Sequence, residues 1–310
     1  MNRIIKAFSL LIISAFIAHS LFAQTAEEYL TSARTKYTAG RYENAVIDLD
    51  MAIKLDSQNT TSYLLRAEAK SKLKRYADAI KDYSHVIKLN PRSDSAYIYR
   101  GEAQFNINHY EEAKADENEA ININSKNAVA FYNRGRILSA SKRYIEAILD
   151  YNEAIQLNPD YADAYNNRGY LKITIKHYEE AIADENEAIR INPKFAYAYN
   201  NKGTAEYNLQ QIKEALADIS ISIQLNPKNP AAFTSRGRIK LQSGNYKEAI
   251  QDFDQAIELN NNETVAYNYR GYAYLKLGDK QKALIDYDRS VALGGPDYIP
   301  EYKYRDEAAK

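Results

Sequence analysis

Residues 162–193 read ADAYNNRGYLKITIKHYEEAIADENEAIRINP, and nearly all of the chain is a variation on this stretch. Displaced by 34 residues in either direction, its small residues fall on small residues again. Gly101, Gly135, Gly169, Gly203, Gly237 and Gly271 form one series, continued toward the N-terminus by Ala67 and Ala33. Ala45, Ala79, Ala113, Ala147, Ala181, Ala215, Ala249 and Ala283 form a second. Two gapless series at one spacing define eight units, which start at 26, 60, 94, 128, 162, 196, 230 and 264 and end at 297. A period of this length marks an array of supersecondary units, each burying its apolar face only against its neighbours.

Each unit carries two helical patterns. In Asp163 to Lys176, Ala164, Tyr165, Gly169, Leu171 and Ile175 share a broad apolar face, and in Tyr178 to Ile191 the face is Ala181, Ile182, Ala188, Ile189 and Ile191. Between them, at unit position 15, stand Gly40, Gly244 and Gly278, with Asn108 and Lys142 elsewhere, as a left-handed helix C-terminus requires. Asn-Pro at 90–91, 158–159, 192–193 and 226–227 ends the second helix, because a proline pushes the residue before it out of the helical region. Loops this short force successive helices antiparallel, so the fold class is all-α. Glycine at position 8 and alanine at position 20 are expected to let the two helix backbones approach closely.

The unit thus has an aromatic at position 4, Gly or Ala at 8, Ala at 20, an apolar or aromatic residue at 24, Ala or Ser at 27 and often Pro at 32. In unit five these are Tyr165, Gly169, Ala181, Ala188 and Pro193. From 26 to 297 the chain resembles the tetratricopeptide repeat (TPR) family. The resemblance implies a right-handed α-solenoid of antiparallel helix pairs, non-catalytic, whose first helices line a concave groove and meet a protein partner through positions 2, 5, 6, 9, 12 and 13. In unit four those positions hold Tyr132, Asn133 and Arg136; in unit five, Asn166, Asn167 and Tyr170. Unit six adds Asn200, Asn201, Thr204 and Tyr207, and units seven and eight add Arg238, Asn268, Tyr269 and Tyr272.

Asn133, Asn167 and Asn201 share position 6 in three successive units. Side-chain amides both donate and accept hydrogen bonds, so such a column suits the backbone of an extended peptide. The clamp by which some family members hold the carboxylate tails of chaperones needs lysine at position 2. Here that position holds Glu27, Thr61, Ser95, Val129, Asp163, Tyr197, Ala231 and Val265, which excludes that partner class. The 28 tyrosines and abundant asparagine would also suit sugars, so a receptor for glycan or cell-wall fragments is the alternative.

Position 7 is Arg66, Arg100, Arg134, Arg168, Lys202, Arg236 and Arg270 from unit two onward, and position 23 is aspartate in all eight units, from Asp48 to Asp286. A ladder of ion pairs along the array is expected. Position 24 is an aromatic at Tyr83, Tyr151, Phe253 and Tyr287 but an acid at Glu117 and Glu185. Such an acid must be paired, protonated or partly hydrated; a salt bridge to a neighbouring Arg or Lys is expected for both, with a polar or cation site between units as the alternative.

Formal net charge is +0, and the chain after residue 23 holds 39 basic against 41 acidic residues, a net −2. Without a basic excess there is no electrostatic reason to hold a phosphate backbone, so nucleic acid is excluded as a partner. There are no cysteines, hence no disulfide, thiolate nucleophile or Cys-based zinc site. No Gly-rich phosphate loop, HExxH helix or GxSxG elbow is present, so neither a catalytic residue, a cofactor nor a metal is expected. His109 and His177 fall in the turn between helices and read as solvated.

Residues 1–23, MNRIIKAFSLLIISAFIAHSLFA, have Arg3 and Lys6 followed by an apolar run from Ala7 to Phe22. This is the pattern of a secretory signal, with cleavage after Ser20 or Ala23. Export to the periplasm or the cell exterior is expected, with membrane attachment only if the segment is left uncleaved and no cysteine for a lipid anchor. Gly294-Gly295-Pro296 breaks the repeat, and the charged residues 298–310 are expected to form a capping helix.

Overall fold

A computed structural model describes residues 25–294, and the chain divides into two compact bodies, 1–158 and 159–310. The signal segment and the C-terminal capping helix lie outside the described residues. In the first body the first helices of the units are α1 (25–38), α3 (Thr60–Lys72), α5 (Asp94–Asn106) and α7 (Ala128–Ala140). Their second helices are α2 (Tyr42–Leu55), α4 (Tyr76–Leu89), α6 (Tyr110–Ile123) and α8 (Tyr144–Leu157). The second body repeats the arrangement, with first helices α9 (Ala162–Thr174), α11 (Ala196–Asn208), α13 (Pro230–Gln242) and α15 (Thr264–Lys276). The second helices there are α10 (Tyr178–Ile191), α12 (Ile212–Leu225), α14 (Tyr246–Leu259) and α16 (Lys280–Ala292). The described residues contain no strand, and within each body every helix packs on the next.

The turn inside each unit is left-handed at position 15 without exception: Gly40, Lys74, Asn108, Lys142, Lys176, Gln210, Gly244 and Gly278 all have positive φ. The same two hydrogen bonds close it each time. In unit two, the Lys74 amide donates to the Ser71 carbonyl at 2.9 Å and the Arg75 amide to the Lys70 carbonyl at 2.8 Å, satisfying carbonyls the helix end leaves free. Five units meet this geometry with a side chain, which costs what glycine would not. Lys176→Gly is therefore expected to raise stability by about 1 kcal/mol, read as an upward shift of the urea midpoint; an unchanged or lower midpoint would contradict the assignment of strain to that residue.

The end of the second helix depends on asparagine more than on the proline after it. Asn90, Asn124, Asn192, Asn226 and Asn260 each accept, through the side-chain oxygen, the amide two residues ahead, as does Asp56 in unit one. Asn124 and Asn260 do so with Ser125 and Asn261 where other units have proline. The local Asx turn stops the helix by itself.

Position-20 alanines are fully buried in all eight units, and position 24 supplies the largest buried side chains, among them Tyr83, Tyr151, Phe253 and Tyr287. Glycine at position 8 makes room for that side chain more than for a backbone. A Cβ on Gly135 would stand 2.7 Å from the Tyr151 ring, and one on Gly237 2.6 Å from the Phe253 ring. The match is not strict: Ala33 stands with Leu49 in unit one, but Ala67 packs with Tyr83 in unit two, and Gly203 stands with the smaller Ile219 in unit six.

The expected ion pairs are present and join the two helices of one unit. Arg66–Asp82, Arg100–Asp116, Arg134–Asp150, Arg168–Asp184, Arg236–Asp252 and Arg270–Asp286 each pair through both Nε and Nη2, at 2.6 to 3.0 Å. Lys202–Asp218 takes their place in unit six. The free Nη1 of Arg66 and of Arg270 reaches back to position 25 of the preceding unit, at Asp50 and Asp254, while Arg134 reaches Asn118 and Arg100 reaches Ser84. One guanidinium thus fixes both the fold of its own unit and the stacking of the one before. The aspartates are buried, which distinguishes these pairs from ordinary surface ion pairs.

Candidate functional site

The face expected to meet a partner is built by the first helices, and positions 5, 6 and 9 on it are set by the same seam that orders the core. Position 24 of one unit touches position 6 of the next. Tyr83 lies on Tyr99 with ring centroids 6.0 Å apart, and Phe253 on Tyr269 at the same separation. Where position 24 is an acid, position 6 of the next unit is an amide, with Asn133 beside Glu117 and Asn201 beside Glu185.

The salt bridge expected for Glu117 and Glu185 is not formed. Both side chains are 0 % exposed, no group meets hydrogen-bonding geometry at either carboxylate, and neither is in an ion pair. The position-7 arginines are held by the position-23 aspartates, and Arg136, whose charge reaches Glu117, lies on the rings of Phe105 and Tyr132. Burial pushes Glu117 up to about 9 against the pull of the Asn133 amide, and pushes Glu185 well above the carboxylate range against that of Asn201. Glu117 is therefore neutral at pH 7, and Glu185 is shifted in the same direction by the same cause.

The position-6 amides are consequently engaged inside the protein. Asn133 is buried beside Glu117. In the second body, Asn201 donates to the Asn166 side chain at 3.0 Å, and Asn166 donates in turn to Asn167 at 3.3 Å. Asn268 is fully buried, and Tyr269 nearly so. Tyr132, Arg136, Asn200, Thr204, Tyr207, Arg238 and Tyr272 are half-buried. Tyr170, at 55 %, is the only one of the fourteen residues that is largely exposed, and Tyr197 at position 2 stands out comparably.

Arginines on this face lie flat on rings. Arg238 sits between Tyr207 and Tyr269, 5.5 and 5.1 Å from the two centroids, and Arg136 lies 4.7 Å from Phe105 and 5.8 Å from Tyr132. A guanidinium over an aromatic face is attracted by the ring quadrupole. Arg238 and its tyrosines, with Gln242 and Tyr272, line a recess of about 330 Å³.

Sequence reading placed the site in units four to eight and passed over a larger recess of about 530 Å³ in units one to three. Tyr37, Glu68, Tyr76, Tyr83, Tyr99 and Glu102 line it. Tyr37, Glu68, Tyr99 and Glu102 occupy positions 12, 9, 6 and 9, so the signal was in the repeat alignment. Glu206, at position 11, was also missed. Buried beside Asp218 and Lys202, where units one, two, five and seven carry a lysine, it is pushed up to about 7 by burial and by the charge of Asp218.

Comparison with known proteins agrees with this architecture. Family models described as TPR repeat match residues 135–173 and 237–278, and models described as tetratricopeptide repeat match 64–128, 162–195 and 265–293. No curated protein sequence matches the chain. Among solved structures, a chain of the APC/C hetero-tetramer Cut9-Hcn1 is similar at a TM-score of 0.70 and 15 % identity, over 91 % of this chain and 55 % of that one. This chain therefore spans little more than half the length of that protein. A tetratricopeptide repeat protein from Parabacteroides merdae is similar at 0.58 and 18 %, covering 93 % and 100 %. The type IV pilus biogenesis factor PilW is similar at 0.60 and 22 %, covering 68 % and 96 %. With family matches in units two to five, seven and eight, and every described unit a helix pair, the chain belongs to the tetratricopeptide repeat family.

Proposed function

We propose that the chain is an exported, non-catalytic scaffold that holds an extended segment of another protein against its first helices. Members of its family act as scaffolds for protein interaction, which supports the general reading. The observation that carries the specific one is the chemistry of this face: exposed Tyr170 and Tyr197, and two tyrosine-lined recesses, where a main chain can lie across rings and side chains can enter. Tyrosine gives large rigid contact area at small entropic cost, which is why it concentrates at binding surfaces. Because Asn133 and Asn201 face Glu117 and Glu185, the tyrosines and not the amide column make the first contact.

Selection of displayed random peptides on the immobilised chain tests this. Peptides retained by the native protein are expected to bind the Tyr170→Ala/Tyr197→Ala variant at least about tenfold more weakly, since aromatic anchors dominate such interfaces. Both residues are exposed, so helix content measured by circular dichroism should be unchanged. Equal retention by the variant would move the site elsewhere, and binding confined to a glycan array would replace the reading with the sugar-receptor alternative. Export is tested by fractionation with N-terminal sequencing: a mature chain beginning after Ser20 or Ala23 outside the cytoplasm is expected, and an intact cytoplasmic chain would refute it.

A further inference from the structure

The two recesses are the same place in the repeat. Tyr37, Glu68, Tyr76 and Tyr99 in the first body stand 170 residues, or five units, before Tyr207, Arg238, Tyr246 and Tyr269 in the second. The ring beneath is kept as well, with Tyr83 under Tyr99 as Phe253 is under Tyr269, each at 6.0 Å. What differs is position 9. In the second body it is Arg238, whose guanidinium fills the space between the position-12 and position-6 tyrosines. In the first body it is Glu68, whose carboxyl lies close enough to the Tyr37 hydroxyl for each to shift the other's ionisation.

Resting on the reading of the chain as a holder of protein segments, we propose that the recess of the first body binds the guanidinium group of a partner's arginine, between Tyr37 and Tyr99, with Glu68 as its counter-ion. The second body shows what this framework does with a guanidinium, because it already contains one. The first body keeps the rings, loses the internal cation and puts a carboxylate in its place. The space enlarges from about 330 to about 530 Å³. Arg136 makes the same point a second time: it too follows a position-12 aromatic, Phe105, and lies on it. Of the three position-12 aromatics, only Tyr37 is followed at position 9 by an acid.

The field in the recess has the sign this requires. Burial, followed by the negative charge of Glu68, pushes the Tyr37 hydroxyl up to about 12, and burial with Glu68 and Glu102 raises Tyr99. Lys72 and Lys74 also line the recess, but both are exposed, and Lys72 acts on Glu68 through space without an ion pair. A guanidinium is planar, stacks on tyrosine and offers paired donors to a carboxylate, so it satisfies both features of the recess at once.

The probe is a tripeptide with blocked ends, acetyl-Gly-Arg-Gly-amide, set against its citrulline counterpart, which has the same shape without the charge. Binding is followed by the ring signals of the tyrosines in NMR spectra of the full chain. The arginine peptide is expected to shift the Tyr37 and Tyr99 signals and leave Tyr207 and Tyr269 unmoved. The citrulline peptide should bind at least about tenfold more weakly. Glu68→Gln and Tyr99→Ala should each weaken arginine binding by a similar factor, and Tyr99, 40 % exposed, can be lost without unfolding. Glu68→Arg should abolish binding by filling the cradle from within, as Arg238 does. Equal affinity for arginine and citrulline, binding that survives in Glu68→Arg, or silent Tyr37 and Tyr99 signals would each overturn the proposal. If the tripeptide binds as described while no displayed peptide is retained, this site stands and the broader scaffold reading falls. Retained peptides with silent Tyr37 and Tyr99 signals mean the reverse.

Discussion

Glu117→Gln stabilises the protein at neutral pH and removes that residue's share of the decline in stability between mild acid and pH 9. In the unfolded chain this carboxyl ionises near 4.5, and in the folded chain burial holds it protonated up to about 9. Between those values the folded state binds the extra proton, so its contribution is whole below pH 4.5, falls steadily above it and is gone once pH passes 9. At pH 7 the loss already amounts to about 3 kcal/mol. Glutamine has nearly the same shape, has no charge to lose in the unfolded state, and can meet the Asn133 amide. Urea midpoints measured at intervals from pH 5 to 9 should slope downward for the native chain and less steeply for the variant, the two curves meeting toward pH 4.5. Parallel slopes would show that Glu117 ionises in the folded protein. Glu185→Gln should act in the same direction, and Glu206 contributes a smaller decline of its own between pH 4.5 and about 7.

The second large effect is a loss. Asp82 holds two cations at once, Arg66 through two bonds of 2.9 and 2.6 Å and Lys70 at 2.7 Å, with 6 % of its side chain exposed. Asp82→Ala leaves Lys70 covered without its carboxylate and Arg66 with only the exposed Asp50 as a partner. Breaking a buried pair from one side is costly because the remaining charge keeps its desolvation penalty, and roughly 3 kcal/mol is expected here. Asp116 holds Arg100 alone, so Asp116→Ala should cost less. Asp78→Ala, which removes a solvent-exposed pair with Lys81 on the same helix as Asp82, should leave the midpoint where it was. If Asp78 and Asp82 variants unfold at the same urea concentration, the buried ladder does not hold the units together.

The period made the fold legible, because glycine and alanine at fixed spacing have one packing consequence whichever unit carries them. The ladder of arginine and aspartate was legible for the same reason, although only the coordinates show that the pair closes within a unit and that its aspartates are buried. The purpose of the position-8 glycine was half legible. Gly135 and Tyr151 lie sixteen residues apart, and nothing in either helix alone says that the ring needs the space. The position-6 asparagines were the hardest to read. Asn133 looks like any exposed amide until Glu117 is found against it, and that neighbour belongs to the preceding unit, with an inter-unit loop in between. Contacts within a repeat are written at short range in the sequence. Contacts between repeats have to be inferred from how two variable positions change together.

That acid–amide match bears on how such an array can change its length. The block that carries Glu117 and Asn133 recurs 68 residues later as Glu185 and Asn201, so a copy made in steps of two units carries each acid together with the amide it needs. Loss of the single unit 196–229 would instead set Glu185 against Ser235, stranding a carboxyl with no amide beside it. Loss of unit 128–161 would by contrast bring another amide, Asn167, against Glu117, so which single repeat can be dropped depends on what stands at position 6 of the unit that follows it.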